Sequence, residues 1–112
     1  MAEDCGQADR IAFQMIASAG SARSSFVEAM DLAEEGKIRE AEEKIREGKE
    51  EFRQGHQIHA ELLKKMAEGT LGQISLLLVH AEDLMMSAED FGILAERLIH
   101  LEQRYFTEKP GK

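Results

Sequence analysis

Proline is almost absent from this sequence of 112 residues, and the only one, Pro110, lies near the C-terminal end. Because proline breaks a helix by removing a backbone hydrogen bond, an interior without proline favours long helices. Aromatic residues are also scarce, at 5% of the chain, whereas alanine, glutamate, leucine and methionine are common. This composition favours an all-α fold, and the length suits one domain rather than two.

Other absences exclude several classes of protein. The formal net charge is −8, which does not suit nucleic acid, because phosphate binding needs a basic face; it suits a basic protein partner instead. Cys5 is the single cysteine, so a disulfide framework is excluded. No apolar run approaches the roughly 20 residues that span a bilayer, and the acidic start MAEDCGQADR has no signal-peptide core. We therefore expect a protein of the reducing cytoplasm.

Two glycine-containing segments divide the chain into three predicted helices. The first is EEGKI at 34–38 and the second is EGTLGQ at 68–73. In the second, Gly69 is typical of a left-handed helix end, and Thr70 with Gln73 fits a capping box that would start the next helix at once. The predicted helices cover about 7–35, 37–68 and 71–106.

Short connections make consecutive helices antiparallel, so the expected fold is an up-down-up three-helix bundle. It forms one domain over 7–106, with a flexible N-terminus at 1–6 and a flexible tail at 107–112. Apolar or small residues recur in each helix at alternating spacings of three and four, which is the pattern of a left-handed bundle. The predicted core positions are Ala12, Met15, Ala19, Ala22, Phe26, Ala29 and Ala33, then Ile38, Ala41, Ile45, Gly48, Phe52, Gly55, His59, Leu62 and Met66, then Ile74, Leu78, Ala81, Met85, Ala88, Gly92, Ala95 and Ile99.

The third predicted helix has more apolar surface than this bundle can bury. Its core stripe is widened by Leu77, Leu84, Phe91 and Leu98. A second stripe consists of Leu76, Val79, Asp83 and Met86. Leu76 points about 200° away from Leu78 around the helix. Because a helix that is apolar nearly all round must be covered on every side, we expect an oligomer that packs through the second stripe.

Asp83 is the one charged member of the second stripe. A buried carboxylate is costly unless it is paired, protonated or bound to a cation. In a cyclic oligomer, copies of Asp83 would meet on the axis and share protons or a metal ion, for which Mg²⁺ or Ca²⁺ would suit a ring of carboxylate oxygens. The alternative is that Asp83 lies at the edge of the stripe and reaches water.

His80 lies about 40° from Leu76 around the helix, at the edge of the same stripe. A neutral imidazole is a nucleophile near pH 7, although a lone histidine also fits a polar interface edge. In a hairpin that turns near residue 70, His80 stands level with residue 60, so that His56, His59 and His80 gather at one height, with His100 far away. The spacing matches no common zinc motif. No arginine lies next to His80 in the sequence.

The stretch LLLVHAEDLMMSA at 76–88 resembles the active-site segment of the lactose/cellobiose-type enzyme IIA of the bacterial phosphotransferase system, whose pattern is close to LLLVHAQDHLM. The resemblance extends to IASAGSARSSFVEAMDLAEEGKIREAEEKIREG and GHQIHAELLKKMAEG, without gaps over about residues 10–105. It implies a homotrimer of three-helix subunits, a phosphoryl group carried on His80, and Asp83 at the trimer axis, where it can bind a metal. It also implies a phosphohistidine carrier as donor, a cysteine of a sugar-specific IIB protein as acceptor, and uptake of a β-linked disaccharide of the lactose, cellobiose or chitobiose class.

Three positions depart from the family's pattern. Glu82 stands where the family has glutamine, Leu84 where it has histidine, and the HxxQ of the second helix reads HQIH, from His56 to His59. We expect His56, His59 and Glu82 to line the pocket of His80, where the carboxylate would repel a phosphoryl group or hold a protonated imidazole. Two other functions stay open at this point: a non-catalytic acidic scaffold, and a metal-binding bundle that uses His56, His59, His80 and Asp83.

Overall fold

The computed structural model describes the backbone of residues 2–108 and the side chains of residues 6–105. Three α-helices follow one another in that range: α1 (Ala2–Glu34), α2 (Ile38–Glu68) and α3 (Leu76–Glu108). They form a three-helix bundle of 67 × 19 × 18 Å. The all-α fold class is thus confirmed. Residues 109–112, which belong to the predicted tail, lie outside the described residues.

The first two helices follow the sequence pattern closely, although α1 begins at Ala2 rather than near residue 7. The connection from α1 to α2 is tight, because the amide of Lys37 donates to the carbonyl of Leu32 at 2.9 Å. Helix α2 ends at Gly69, which is left-handed with φ 71°, as predicted. The amide of Thr70 then donates to the carbonyl of Lys65 at 3.0 Å.

The predicted start of α3 at residue 71 is wrong, because residues 70–75 are not helical. Gly72 has φ 94°, which a right-handed helix cannot accommodate, and Leu71 turns inward and is only 2% exposed. The residue that caps α3 is Ser75, whose Oγ accepts a hydrogen bond from the amide of Leu78 at 3.2 Å. Thr70 instead donates its hydroxyl to the carbonyl of Lys65 at 3.2 Å.

Most of the predicted core is buried, although Ile38, Phe52 and His59 of α2 are only partly buried and two further positions are exposed. Every predicted core position of α1 is buried, as are those of α3 from Leu78 onward. Met66 and Ile74, at the two ends of the α2–α3 connection, are 39% and 58% exposed. Helix α3 begins only after Ile74, and Leu71 takes a buried place at this end of the bundle instead.

Helix α1 packs closely along both α2 and α3, whereas α2 and α3 contact each other much less. The wide side of the bundle is therefore a groove between α2 and α3. Polar pairs cross it, among them Lys49 with Glu96 at 2.6 Å and His59 with Glu82 at 2.7 Å. In the part of the chain that the structure describes, none of the helices is both long enough and apolar enough to cross a membrane.

Candidate functional site

His80 lies in the second turn of α3 with its side chain exposed. Within the described part of the chain, its imidazole makes no hydrogen bond and no ion pair. Its neighbours on the helix surface are Val79, 52% exposed, and Leu76, 84% exposed. The nucleophile expected from the sequence therefore stands among exposed apolar side chains and is open to a large partner.

The second stripe is uncovered in a single subunit. Besides Leu76 and Val79, Met86 is 64% exposed, and the carboxylate of Asp83 also faces solvent. Exposure of three large apolar side chains on one helix face is typical of a surface that another protein covers. Asp83 would become buried only in an assembly formed through this stripe.

On the other flank of α3, Glu82 pairs with a histidine of α2. The Nε2 atom of His59 lies 2.7 Å from a carboxylate oxygen of Glu82, and the two side chains are 21% and 38% exposed. Nε2 can donate this hydrogen bond both in the neutral imidazole that carries its proton on Nε2 and in the imidazolium. Glu82 is therefore held toward α2.

His59 and Glu82 belong to a groove of about 420 Å³ between α2 and α3, called here the His59 groove. It is lined by Phe52, Arg53, His56, His59, Glu82, Met85, Met86 and Glu89. His56 stacks on Phe52, with ring centroids 6.4 Å apart and an interplanar angle of 26°. The groove thus gathers three of the residues expected around the nucleophile: His56, His59 and Glu82.

The guanidinium of Arg53, which also lines this groove, is not an unpaired cation. It donates two hydrogen bonds to Glu50 on the same helix, at 3.0 Å and 2.7 Å. These hydrogen bonds raise the pKa of Arg53 above its ordinary value and lower the pKa of the Glu50 carboxyl. Arg53 is therefore engaged on the surface of α2.

His80 is not among the residues that line the His59 groove. His59 of α2 meets Glu82 of α3, which lies only two residues from His80 along the chain. The side chains of His80 and Glu82 point in different directions, because residues two apart on a helix are about 200° apart around its axis. Within one subunit, His80 and Glu82 therefore lie on opposite flanks of α3. The sequence indicates how far along the helices the three histidines lie, but the directions of their side chains depend on how α2 and α3 are rotated about their axes.

A metal site within one chain is not formed by these residues. Among the residues that the structure describes, no three histidine, cysteine, aspartate or glutamate side chains converge. The interpretation as a bundle that binds metal through His56, His59, His80 and Asp83 therefore fails, because His80 and Asp83 point away from α2. A cation shared by Asp83 of several subunits is a different arrangement that one chain does not contain.

The chain is similar to known proteins over nearly its whole length. Residues 10–103 match the family model described as the lactose/cellobiose-specific IIA subunit of the phosphotransferase system. An oligo-β-mannoside-specific EIIA component of Bacillus subtilis (strain 168) is 33% identical over 83% of this chain and 84% of the relative. A lactose-specific EIIA component of Streptococcus mutans is 32% identical over 88% of this chain and 94% of the relative.

A solved structure agrees with these sequences. The crystal structure of a cellobiose-specific enzyme IIA from Bacillus anthracis superposes with a TM-score of 0.86 at 37% identity. The superposition covers 89% of this chain and 92% of the other. Both the sequence and the three-helix architecture are therefore shared with these proteins.

Proposed function

The chain belongs to the lactose/cellobiose-specific IIA family of the phosphotransferase system, which has a phosphotransferase role in sugar uptake, and we propose that it carries a phosphoryl group on His80. The observation that supports this most is the exposed, unpaired imidazole of His80 within the described part of α3. The donor is a phosphohistidine carrier protein and the acceptor is the cysteine of a sugar-specific IIB protein. We place both transfers in the cytoplasm, whose reducing conditions keep the acceptor cysteine as a thiol.

The chemistry requires little of this chain beyond positioning. A ring nitrogen of neutral His80 attacks the phosphorus, and the phosphorus–nitrogen bond to the carrier breaks as the new one forms. His80 loses the proton of its other ring nitrogen, and the carrier's imidazole takes up a proton and becomes neutral. In the second transfer, the cysteine thiolate attacks the same phosphorus, the bond to His80 breaks, and the proton that the thiol gave up is balanced by the one that His80 takes up. Phosphoryl transfer of this kind depends mainly on in-line alignment and on stabilisation of the charge on the phosphoryl oxygens. With Arg53 engaged by Glu50, the cationic or hydrogen-bonding groups would come from the partner or from backbone amides.

The assembly that we propose is a homotrimer joined through the second stripe. The exposed apolar surface of Leu76, Val79 and Met86 supports it. On the trimer axis, three copies of Asp83 would repel one another unless protons or a divalent cation such as Mg²⁺ were shared among them. This arrangement places His80 beside the subunit interface, since it adjoins Val79.

The sugar is proposed as a class only. One relative is named for the monosaccharide galactose, and others are named for lactose, cellobiose, lichenan and oligo-β-mannosides, at identities to this chain that differ little. Saccharides with β-linkages are common to the names other than galactose. We therefore propose a β-linked disaccharide, of the lactose, cellobiose or chitobiose class, as the sugar whose uptake this protein serves.

A labelling experiment tests the central step. Incubation with the phosphorylated carrier is expected to add one phosphoryl group per chain, labile in acid and stable in base, as for a phosphorus–nitrogen bond. His80→Ala should abolish the label and leave the helix content unchanged. His100→Ala is the matched control, because His100 is also an exposed histidine on α3. Label retained in His80→Ala would refute the assignment, and a wild type that no carrier labels would favour a scaffold.

A further inference from the structure

Two departures from the pattern of the resembled family, His59 and Glu82, are partners in this structure. The imidazole of the one lies 2.7 Å from the carboxylate of the other, across the groove between α2 and α3. In the family's pattern both positions are glutamine, so a neutral pair is replaced here by a histidine and a carboxylate. A change at one position is thus matched by a change at the other.

The pair lies close to the phosphoryl site. Glu82 is two residues from His80 and directly precedes Asp83. The separation between groups on opposite flanks of a helix is roughly its diameter, about 10 Å. That distance is slightly longer than the Debye length of about 8 Å at physiological ionic strength, so salt screens much of the repulsion between the carboxylate and a phosphoryl group, whereas a closer approach would strengthen it. The extra carboxylate therefore needs a partner that keeps it at this distance.

We infer that His59 is a positioning residue, which holds the Glu82 carboxylate on the α2 side of α3 and so keeps it away from the phosphoryl group on His80 and from Asp83. The inference rests on the proposed function of His80. Without His59, the Glu82 side chain loses its hydrogen-bond donor and gains the freedom to turn along α3 toward Val79, at the edge of the second stripe. The cost then falls on the transfer step, because in that step the negatively charged phosphoryl group moves from the carrier toward His80 and so toward the released carboxylate.

The test is a double-mutant cycle in the full-length protein. Initial rates of phosphorylation by the phosphorylated carrier are measured over a range of carrier concentrations for the wild type, His59→Leu, Glu82→Gln and the double variant. His59→Leu is expected to lower kcat on the order of fivefold without raising KM, because the released carboxylate can approach the phosphoryl group more closely than about 10 Å. In the Glu82→Gln background the same substitution should change kcat by less than about twofold, because no charge is left to be unpaired.

Lys49→Leu is the matched control. It removes a second polar pair between α2 and α3, the 2.6 Å pair with Glu96, which lies 14 residues further along α3 than Glu82. It is expected to alter the melting temperature about as much as His59→Leu does, with kcat unchanged.

Three results would overturn the inference while the labelling of His80 stands. An equal loss of kcat from His59→Leu in both backgrounds would assign the effect to packing of the imidazole. An equal loss from Lys49→Leu would assign it to general loosening of the groove. No loss from His59→Leu would remove the role altogether. A wild type that is never labelled would overturn this inference and the proposed function together.

Discussion

Phe26 of α1 lies between two glycines that belong to different helices. A Cβ atom added at Gly48 of α2 would lie 2.5 Å from Cε1 of this ring, and one added at Gly92 of α3 would lie 3.0 Å from Cε2. The ring is only 3% exposed. Both glycines were predicted as core positions from their spacing, and the structure gives the reason: a side chain there would occupy the volume of the phenylalanine.

Gly48→Ala is expected to destabilise the fold by about 1–3 kcal/mol, because the added methyl group overpacks a filled core. Urea denaturation monitored by circular dichroism measures this. Gly20→Ala is the control: it lies inside α1, nothing would lie within 4 Å of its Cβ, and alanine should stabilise the helix by about 0.5–1 kcal/mol. Equal stability of the two variants would contradict the role given to Phe26.

Among the site residues, the sequence indicates the exposure of His80 but not the partner of Glu82. The second stripe fixes which face of α3 points outward, and His80 lies at its edge. The partner of Glu82 depends on how far α2 is rotated about its own axis. The pattern of core residues fixes which face of α2 is buried, but it does not fix this rotation closely enough to identify one contact. The two departures at positions 59 and 82 were a signal that could have revealed the pair, because they lie at one height.

At the scale of the helices, the α2–α3 connection was the hardest part to predict. Thr70 and Gln73 have the spacing of a capping box, but Gly72 lies between them in a conformation that ends any helix, with φ 94°. Ser75 supplies the cap instead. The interiors of α1 and α2 were predicted well, because a seam repeated over many turns averages out local ambiguity, whereas a connection has only a few residues to indicate its course.

Ser75→Ala is therefore expected to cost about 1 kcal/mol, the usual loss when an N-cap hydroxyl is removed. Thr70→Ala should change the free energy of unfolding by no more than about 0.5 kcal/mol, since its hydroxyl is exposed and bonds only to the preceding helix end. Urea denaturation of both variants measures the difference. A larger cost for Thr70→Ala would restore the predicted capping box.

At the scale of the whole molecule, the exposed second stripe predicts the state of assembly. Sedimentation equilibrium at micromolar concentration is expected to give a trimer for the wild type and a smaller species for Val79→Glu, which places a charge in the apolar interface. Asp83→Leu should remain trimeric and, in chelator, melt at a higher temperature than the wild type, because an apolar residue replaces repelling carboxylates.

Leu63→Glu is the control for this experiment. Leu63 lies on α2, away from the second stripe, and at 50% its exposure is close to the 52% of Val79. The same substitution there should leave the trimer intact. A wild type that sediments as a stable monomer would contradict the assembly, and an Asp83→Leu variant with unchanged stability in chelator would place Asp83 in water.

The unequal contacts among the helices have a consequence for the order of folding. Helix α1 provides most of the packing surface for both of its neighbours, whereas α2 and α3 contact each other much less and are separated by a groove that polar pairs bridge. We therefore expect a hairpin of α1 and α2 to bury a seam as soon as both helices have been synthesised, whereas a hairpin of α2 and α3 would lack the helix on which both depend. Synthesis from the N-terminus therefore delivers the shared helix first, and α3, which carries His80 and the second stripe, docks last onto a template that is already formed.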